Sequence, residues 1–164
     1  LLYLLDANTL ITGENTAYPL ARFPVFWEWL THMGTNGIIK VPVEMYDEIT
    51  VGRGPLVDWL TKADTRDALL FDEAADAARV SAVTLRGYGD LDDQEIESVG
   101  KDPFLISYGC ADMANRAIVT FEVSSPRRQR ANRKIPDVCD SFGIRWLTLF
   151  NLIRALDFTT NWRP

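Results

Sequence analysis

Histidine is nearly absent from this 164-residue chain, which has one, and cysteine is scarce, at two. One imidazole, His32 in the aromatic stretch FWEWLTHM, leaves too few ligands for a His/Cys metal centre. It also argues against triad hydrolysis, whose general base would have to be His32, near the end of a tryptophan-rich helix. Cys110 and Cys139 lie in apolar-rich segments, which suits reduced, buried thiols better than a disulfide framework. No apolar run reaches the roughly 18 residues of a spanning helix, and the first residues lack the basic flank of a signal peptide. A protein without a membrane segment, in the cytoplasm, is the expectation. No repeat, low-complexity tract or linker divides the sequence, so a single domain over 1–164 is expected.

What is present is an ordinary globular composition, 47% hydrophobic and 24% charged, enough for a sizeable core. The net charge of −6 disfavours nucleic acid, whose binders carry a basic face. The distribution is uneven, however. RRQRANRK holds Arg127, Arg128, Arg130, Arg133 and Lys134, five of the 17 Lys and Arg in one short stretch. Such a run is commonly a solvated loop, but here it is also the obvious place to hold a phosphate backbone.

The apolar opening LLYLL reads as a strand buried on both faces, and it stops at Asp6. Phe23, Phe26, Trp27 and Leu30 have helical spacing, with Gly34 as the stop. A second strand is expected over Gly37 to Val41, and a helix from Pro42 carrying Glu44, Asp47 and Glu48. A short helix in GPLVDWLTKA and a longer one from Arg66 to Val83 follow. GYGDLDDQEIESVG is a turn opening an acidic helix. Asp102 before Pro103 reads as an N-cap with proline at the first helical position. AIVTF is a strand with Glu122 just past its end, IPDVCDSFG a short helix, IRWLTL the last strand and FNLIRAL the last helix. Alternating strands and helices imply an α/β fold with a parallel sheet covered by helices on both faces.

Asp6 and Glu122 thus end strands, Asp102 opens a helix and Glu48 lies on the helix leaving the second strand. In a doubly wound sheet these acids can converge at one edge, where ligands of such sheets collect. Four carboxylates about 5 Å apart repel by roughly 3 kcal/mol per pair at an effective dielectric near 20, and a divalent cation is the natural compensation. All-oxygen ligands select Mg²⁺ or Mn²⁺, which can activate water and stabilise charge on a phosphodiester. Each acid also has a plainer reading: Asp6 as a turn acceptor, Asp102 as a helix cap, Glu48 as a surface residue with Glu44 competing for the site, Glu122 as the start of a loop.

YLLDAN (Tyr3 to Asn8), VPVEMYDEI (Val41 to Ile49), DPFLISYG (Asp102 to Gly109) and IVTFE (Ile118 to Glu122) occur in order. With these segments the chain resembles a PIN domain, the metal-dependent ribonuclease fold of VapC-type toxins. It is similar to a less characterised PIN-like branch that also carries FPVFWEWL and KIPDVC, here within Tyr18 to Leu30 and Lys134 to Cys139. The resemblance implies a three-layer α/β/α fold with four to five parallel strands. It also implies a Mg²⁺- or Mn²⁺-dependent endoribonuclease, the toxin of a toxin–antitoxin pair. By motif, Asp6, Glu48 and Asp102 would hold metal. Glu122 falls where the family more usually has Asp or Asn, and would orient water or a second ion. Asn8 and Thr120 fall at polar, site-lining positions, and Asp137 is a further candidate. Arg127 to Lys134 would contact RNA or an acidic antitoxin segment, and a homodimer could use the aromatic segment from Phe23 to Trp29.

Two other classes compete. A PIN-like domain that binds RNA or protein without cleaving would have lost an acid, and all four positions are present here. A haloacid-dehalogenase-like phosphotransfer site needs a second Asp two residues after the first, where this chain has Asn8.

Overall fold

The computed structural model describes residues 1–163. Leu2–Leu5 forms β1 because its side chains are apolar on both faces, and Leu4 and Leu5 are wholly buried. The chain then runs through α1 (Ala7–Thr12), α2 (Pro24–Thr35), β2 (Ile39–Pro42), α3 (Val43–Thr50), α4 (Pro55–Leu60) and α5 (Ala63–Leu69). β3 (Leu70–Phe71), α6 (Ala77–Val83), α7 (Asp93–Val99) and α8 (Asp102–Ala111) follow, then β4 (Arg116–Val119), α9 (Ile135–Phe142), β5 (Arg145–Leu147) and α10 (Leu149–Ala155). The five strands make one parallel sheet in the order β3-β2-β1-β4-β5. Tyr3 is in register with Ile39 on one side, and Leu5 with Val119 on the other.

This order places β1 at the centre and creates a reversal. From β1 the chain steps outward to β2 and β3, whereas from β4 it steps the opposite way to β5. The carboxyl ends of β1 and β4 therefore flank a topological switch point, where open α/β sheets leave a crevice. Right-handed crossovers put the helices of the two directions on opposite faces. α2 accordingly packs on α5 and β2, and α8 on α6, β4 and α9, giving a three-layer α/β/α arrangement.

Four local expectations change. The helix expected from Arg66 to Val83 is broken: Leu70 and Phe71 leave it to pair with Val41 and Pro42 as the edge strand. A new helix starts only at Asp76, whose side chain accepts the Arg79 amide at 3.0 Å. Alanine-rich helix propensity is outweighed there by sheet pairing and reset by a cap. Gly34 does not stop α2, which runs on to Thr35. A Cβ on Gly34 would lie 2.8 Å from the Ala68 carbonyl oxygen, so the glycine lets α2 approach α5. Lys101, not Asp102, is the N-cap of α8, and Asp102 makes no capping hydrogen bond. The fourth strand starts at Arg116 and ends at Val119, so Thr120 and Glu122 both lie beyond it.

Phe26, Trp27 and Trp29 are buried in the core, so the aromatic segment is mostly interior. Cys139 is buried and Cys110 half-buried, and both are free thiols. Two single π-turns interrupt the regular pattern, Gly13–Ala17 after α1 and Thr84–Tyr88 after α6. Among the described residues no helix is long and apolar enough to cross a membrane.

Candidate functional site

Asp6 sits between β1 and α1, with extended backbone (φ −65°, ψ 146°). Its amide donates to the Val119 carbonyl at 2.9 Å, fixing it against the end of β4. The side chain is 2% exposed. Thr120, itself fully buried, donates its hydroxyl to Asp6 Oδ2 at 2.9 Å and accepts the Glu122 amide at 3.1 Å. The ends of β1 and β4 are thus joined by a short polar chain, Glu122 amide to Thr120 to Asp6.

Glu122 turns toward α9. Its Oε1 accepts Lys134 Nζ at 2.6 Å, and its Oε2 accepts the Ile135 amide, the first of α9, at 2.7 Å. With both oxygens engaged, Glu122 serves the cluster through its charge and as a clasp between β4 and α9. Asp102 opens α8 and is only partly open to solvent. Glu48 is exposed at the rim, with Lys101 acting on it from the turn before α8.

Electrostatics ties the four acids together. Burial pushes the Asp6 carboxyl up to about 6; the Thr120 hydrogen bond and the Asn8 amide pull it down, while Glu122 and Glu48 push it further up. Burial pushes Asp102 up to about 8, reinforced by Asp6, Glu122 and Glu48 and opposed by Lys134. Glu48 is raised by burial and lowered by Lys101. Proton affinity raised in this way marks a place that a cation would relieve. Among the described residues no three His, Cys, Asp or Glu side chains are grouped so as to hold an ion directly. An ion of the Mg²⁺ kind typically takes one or two carboxylates and keeps several waters, and two is the number that Asp6 and Asp102 offer.

The remaining sequence candidates fall elsewhere. Asn8 is exposed on α1, presenting its amide to Asp6. Glu44 lies one turn below Glu48 but faces α8, where its Oε1 accepts the Tyr108 hydroxyl at 3.1 Å. It is not among the main charges acting on Asp6 or Asp102. Asp137 accepts the Ser124 hydroxyl at 2.6 Å and the Ser125 amide at 2.8 Å, so it latches the loop after β4. In the basic stretch, Arg130 is held by Glu95 and the Asp90 carbonyl. Arg133 is held by the Gly87 and Asp137 carbonyls and by Ser141. Arg127 and Arg128 are exposed with no side-chain partner among the described residues, so the five basic residues divide into a pair open to a ligand and three that brace the fold.

Two features escaped sequence reasoning. Tyr88, buried, has a hydroxyl without a partner and feels the charges of Asp102 and Glu122. The only hint was a Gly-Tyr-Gly turn, which says nothing of direction. A cleft of about 350 Å³ begins at Glu48 and runs between Ile11, Asn15, Arg53 and Leu56. It is built by the first π-turn and the α3–α4 turn, segments distant in sequence.

No curated protein and no solved structure matches the chain. One family model does, over residues 3–160, and it covers β1 and all four acids as well as β5 and α10. The chain therefore belongs to the family described as a domain of unknown function (DUF4411).

Proposed function

We propose that this chain is a Mg²⁺- or Mn²⁺-dependent endoribonuclease of the PIN-like kind, hydrolysing RNA phosphodiester bonds at the crevice between β1 and β4. The observation that carries the reading is the pair of acids at the switch point, Asp6 buried at the end of β1 and Asp102 half-buried at the start of α8, with burial raising both carboxyls and Asp6 adding to the rise at Asp102. Burying a carboxyl is costly, and acids held so at the edge of a sheet are a mark of functional sites.

Asp6 and Asp102 would hold the cation directly and Glu48, exposed at the rim, would reach it through water; when bound the cation supplies positive charge to the phosphate and a more acidic water. Thr120 fixes the Asp6 rotamer, and Glu122, clasped to α9, adds negative charge beside Asp102. Arg127 and Arg128 stand open to backbone phosphates. The cleft beside Glu48, with the exposed Arg53 on its wall, gives the flanking chain a path away from the acids. A toxin role, with an acidic antitoxin segment on Arg127 and Arg128, rests on the resemblance alone.

A non-cleaving RNA- or protein-binding domain is the second reading. It is favoured by the Lys134 ammonium on Glu122, which already compensates one acid. Purified protein incubated with a mixed RNA pool, with Mg²⁺ or Mn²⁺ and with chelator, separates the two. The nuclease reading expects metal-dependent cutting that vanishes in Asp6→Asn and Asp102→Asn, both still folded. Tight binding without cutting gives the second reading.

A further inference from the structure

Phe121 lies between Thr120, which holds Asp6, and Glu122, which clasps α9; it is half-buried and packs against the core. Its ring meets that of Phe150 in α10, with centroids 5.6 Å apart and planes at 82°. Two contacts bring α10 there. The Thr120 amide donates to the Leu147 carbonyl, at the end of β5, at 3.0 Å, and a Cβ on Gly13, just after α1, would lie 3.7 Å from Leu149 Cδ2. Phe150 therefore stands at the same carboxyl edge of the sheet as Asp6 and Thr120.

Leu149 and Leu152 turn into the core and hold α10 down, whereas Phe150 is 47% exposed. In a T-shaped pair one ring offers its edge to the other. Whichever ring does so here, at least one face of Phe150 is left uncovered by Phe121. Arg154, one helical turn further along α10, is exposed and has no side-chain partner among the described residues. A single exposed phenylalanine is ordinary on a surface. This one is braced by a second ring, borders the polar chain that reaches Asp6, and shares a helix face with an open guanidinium. Arg127 and Arg128, also open, lie in the loop that Phe121 begins. Aromatic faces with cations beside them are how proteins take unpaired bases, whose own faces are hidden in a duplex.

We infer that Phe150, braced by Phe121, is a stacking platform for an unpaired nucleobase next to the phosphate at the acids, with Arg154 meeting a neighbouring phosphate. The inference rests on the RNA site of the proposed function and narrows its substrate to single-stranded RNA.

The test is fluorescence anisotropy in chelator, where metal-dependent cutting is off, with a labelled single-stranded oligoribonucleotide and with the same strand in a duplex. The parent should prefer the single strand. Phe150→Ala should weaken single-strand binding about tenfold, the loss of one stacked base, and leave the duplex unchanged. Phe150→Leu keeps apolar bulk without the ring and should show the same loss, whereas Phe150→Trp should bind as the parent does. Arg154→Ala should lower the salt dependence of the log affinity by roughly 0.7. Full affinity in Phe150→Leu would overturn the inference by revealing an apolar contact of the kind a protein partner makes, and so would equal losses on single strand and duplex. Unchanged single-strand binding in Phe150→Ala removes the platform and leaves the nuclease reading standing. The expected losses in a protein that never cuts with Mg²⁺ or Mn²⁺ keep the platform and remove the nuclease. A parent that binds no RNA removes both.

Discussion

The Thr120 hydroxyl donates to Asp6 Oδ2 at 2.9 Å, across the ends of the two strands that flank the switch point. Thr120 Oγ1 in turn accepts the Glu122 amide, so one side chain sets the positions of two acids. Thr120→Val keeps the shape and removes both bonds. It should destabilise the protein by about 1–3 kcal/mol, the usual cost of stranding buried polar groups. It should also weaken metal-dependent cleavage, and Thr120→Ser should restore both. Denaturant unfolding with a parallel cleavage assay checks this; a neutral Thr120→Val would show that Asp6 needs no partner.

Asp6 and Asp102 carry folded-state values of about 6 and about 8 against an ordinary 3.8. A carboxyl raised on folding binds protons more tightly in the native state, so its stabilising contribution is complete below about pH 4 and is lost as pH rises through the folded value. In chelator, stability should fall from about pH 4 to about pH 8, with both groups contributing at first and Asp102 alone above about pH 6. The slope is bounded at roughly 1.4 kcal/mol per pH unit for each group. Mg²⁺ or Mn²⁺ should raise stability more at pH 8 than at pH 5. Melting curves across that range, with and without metal, provide the measurement, and a flat profile would contradict the burial of these acids.

Arg127 and Arg128 are open, whereas Arg130 and Arg133 hold the loop in place. Replacing Arg127 and Arg128 with alanine should weaken RNA binding and lower the salt dependence of the log affinity by roughly 0.7 per arginine for single strands. Arg130→Ala should leave that slope unchanged. Equal slopes in all three proteins would place RNA elsewhere.

Gly34→Ala tests the packing of α2 on α5. Alanine gains about 1 kcal/mol of helix propensity, but its Cβ would meet the Ala68 backbone at 2.8 Å and force the helices apart. A net loss of about 1–2 kcal/mol in denaturant unfolding is expected. A stabilised variant would mean that α5 yields easily.

Local pattern carried much of the fold. The apolar run of β1, the proline-led starts of α3 and α8, and the alternation of strands with helices were all legible, since each depends on near neighbours in the chain. Asp6, Glu48, Asp102 and Glu122 could be chosen for the same reason, because the end of a strand or the start of a helix is a local property. β3 was not legible: two residues pair with Val41 and Pro42 only because that edge is free.

The sequence by itself determined most of the helices and four of the five strands, and that Asp6 follows the first strand and Asp102 opens a helix. The tertiary structure alone decided the strand order, and through it that β1 and β4 are neighbours with their connections leaving in opposite directions. That choice brings Thr120 to Asp6, sends Glu44 to Tyr108 and pairs Lys134 with Glu122. Strand order is set by the burial of whole faces against one another, and no window of sequence contains it. Charges cluster or separate according to that order.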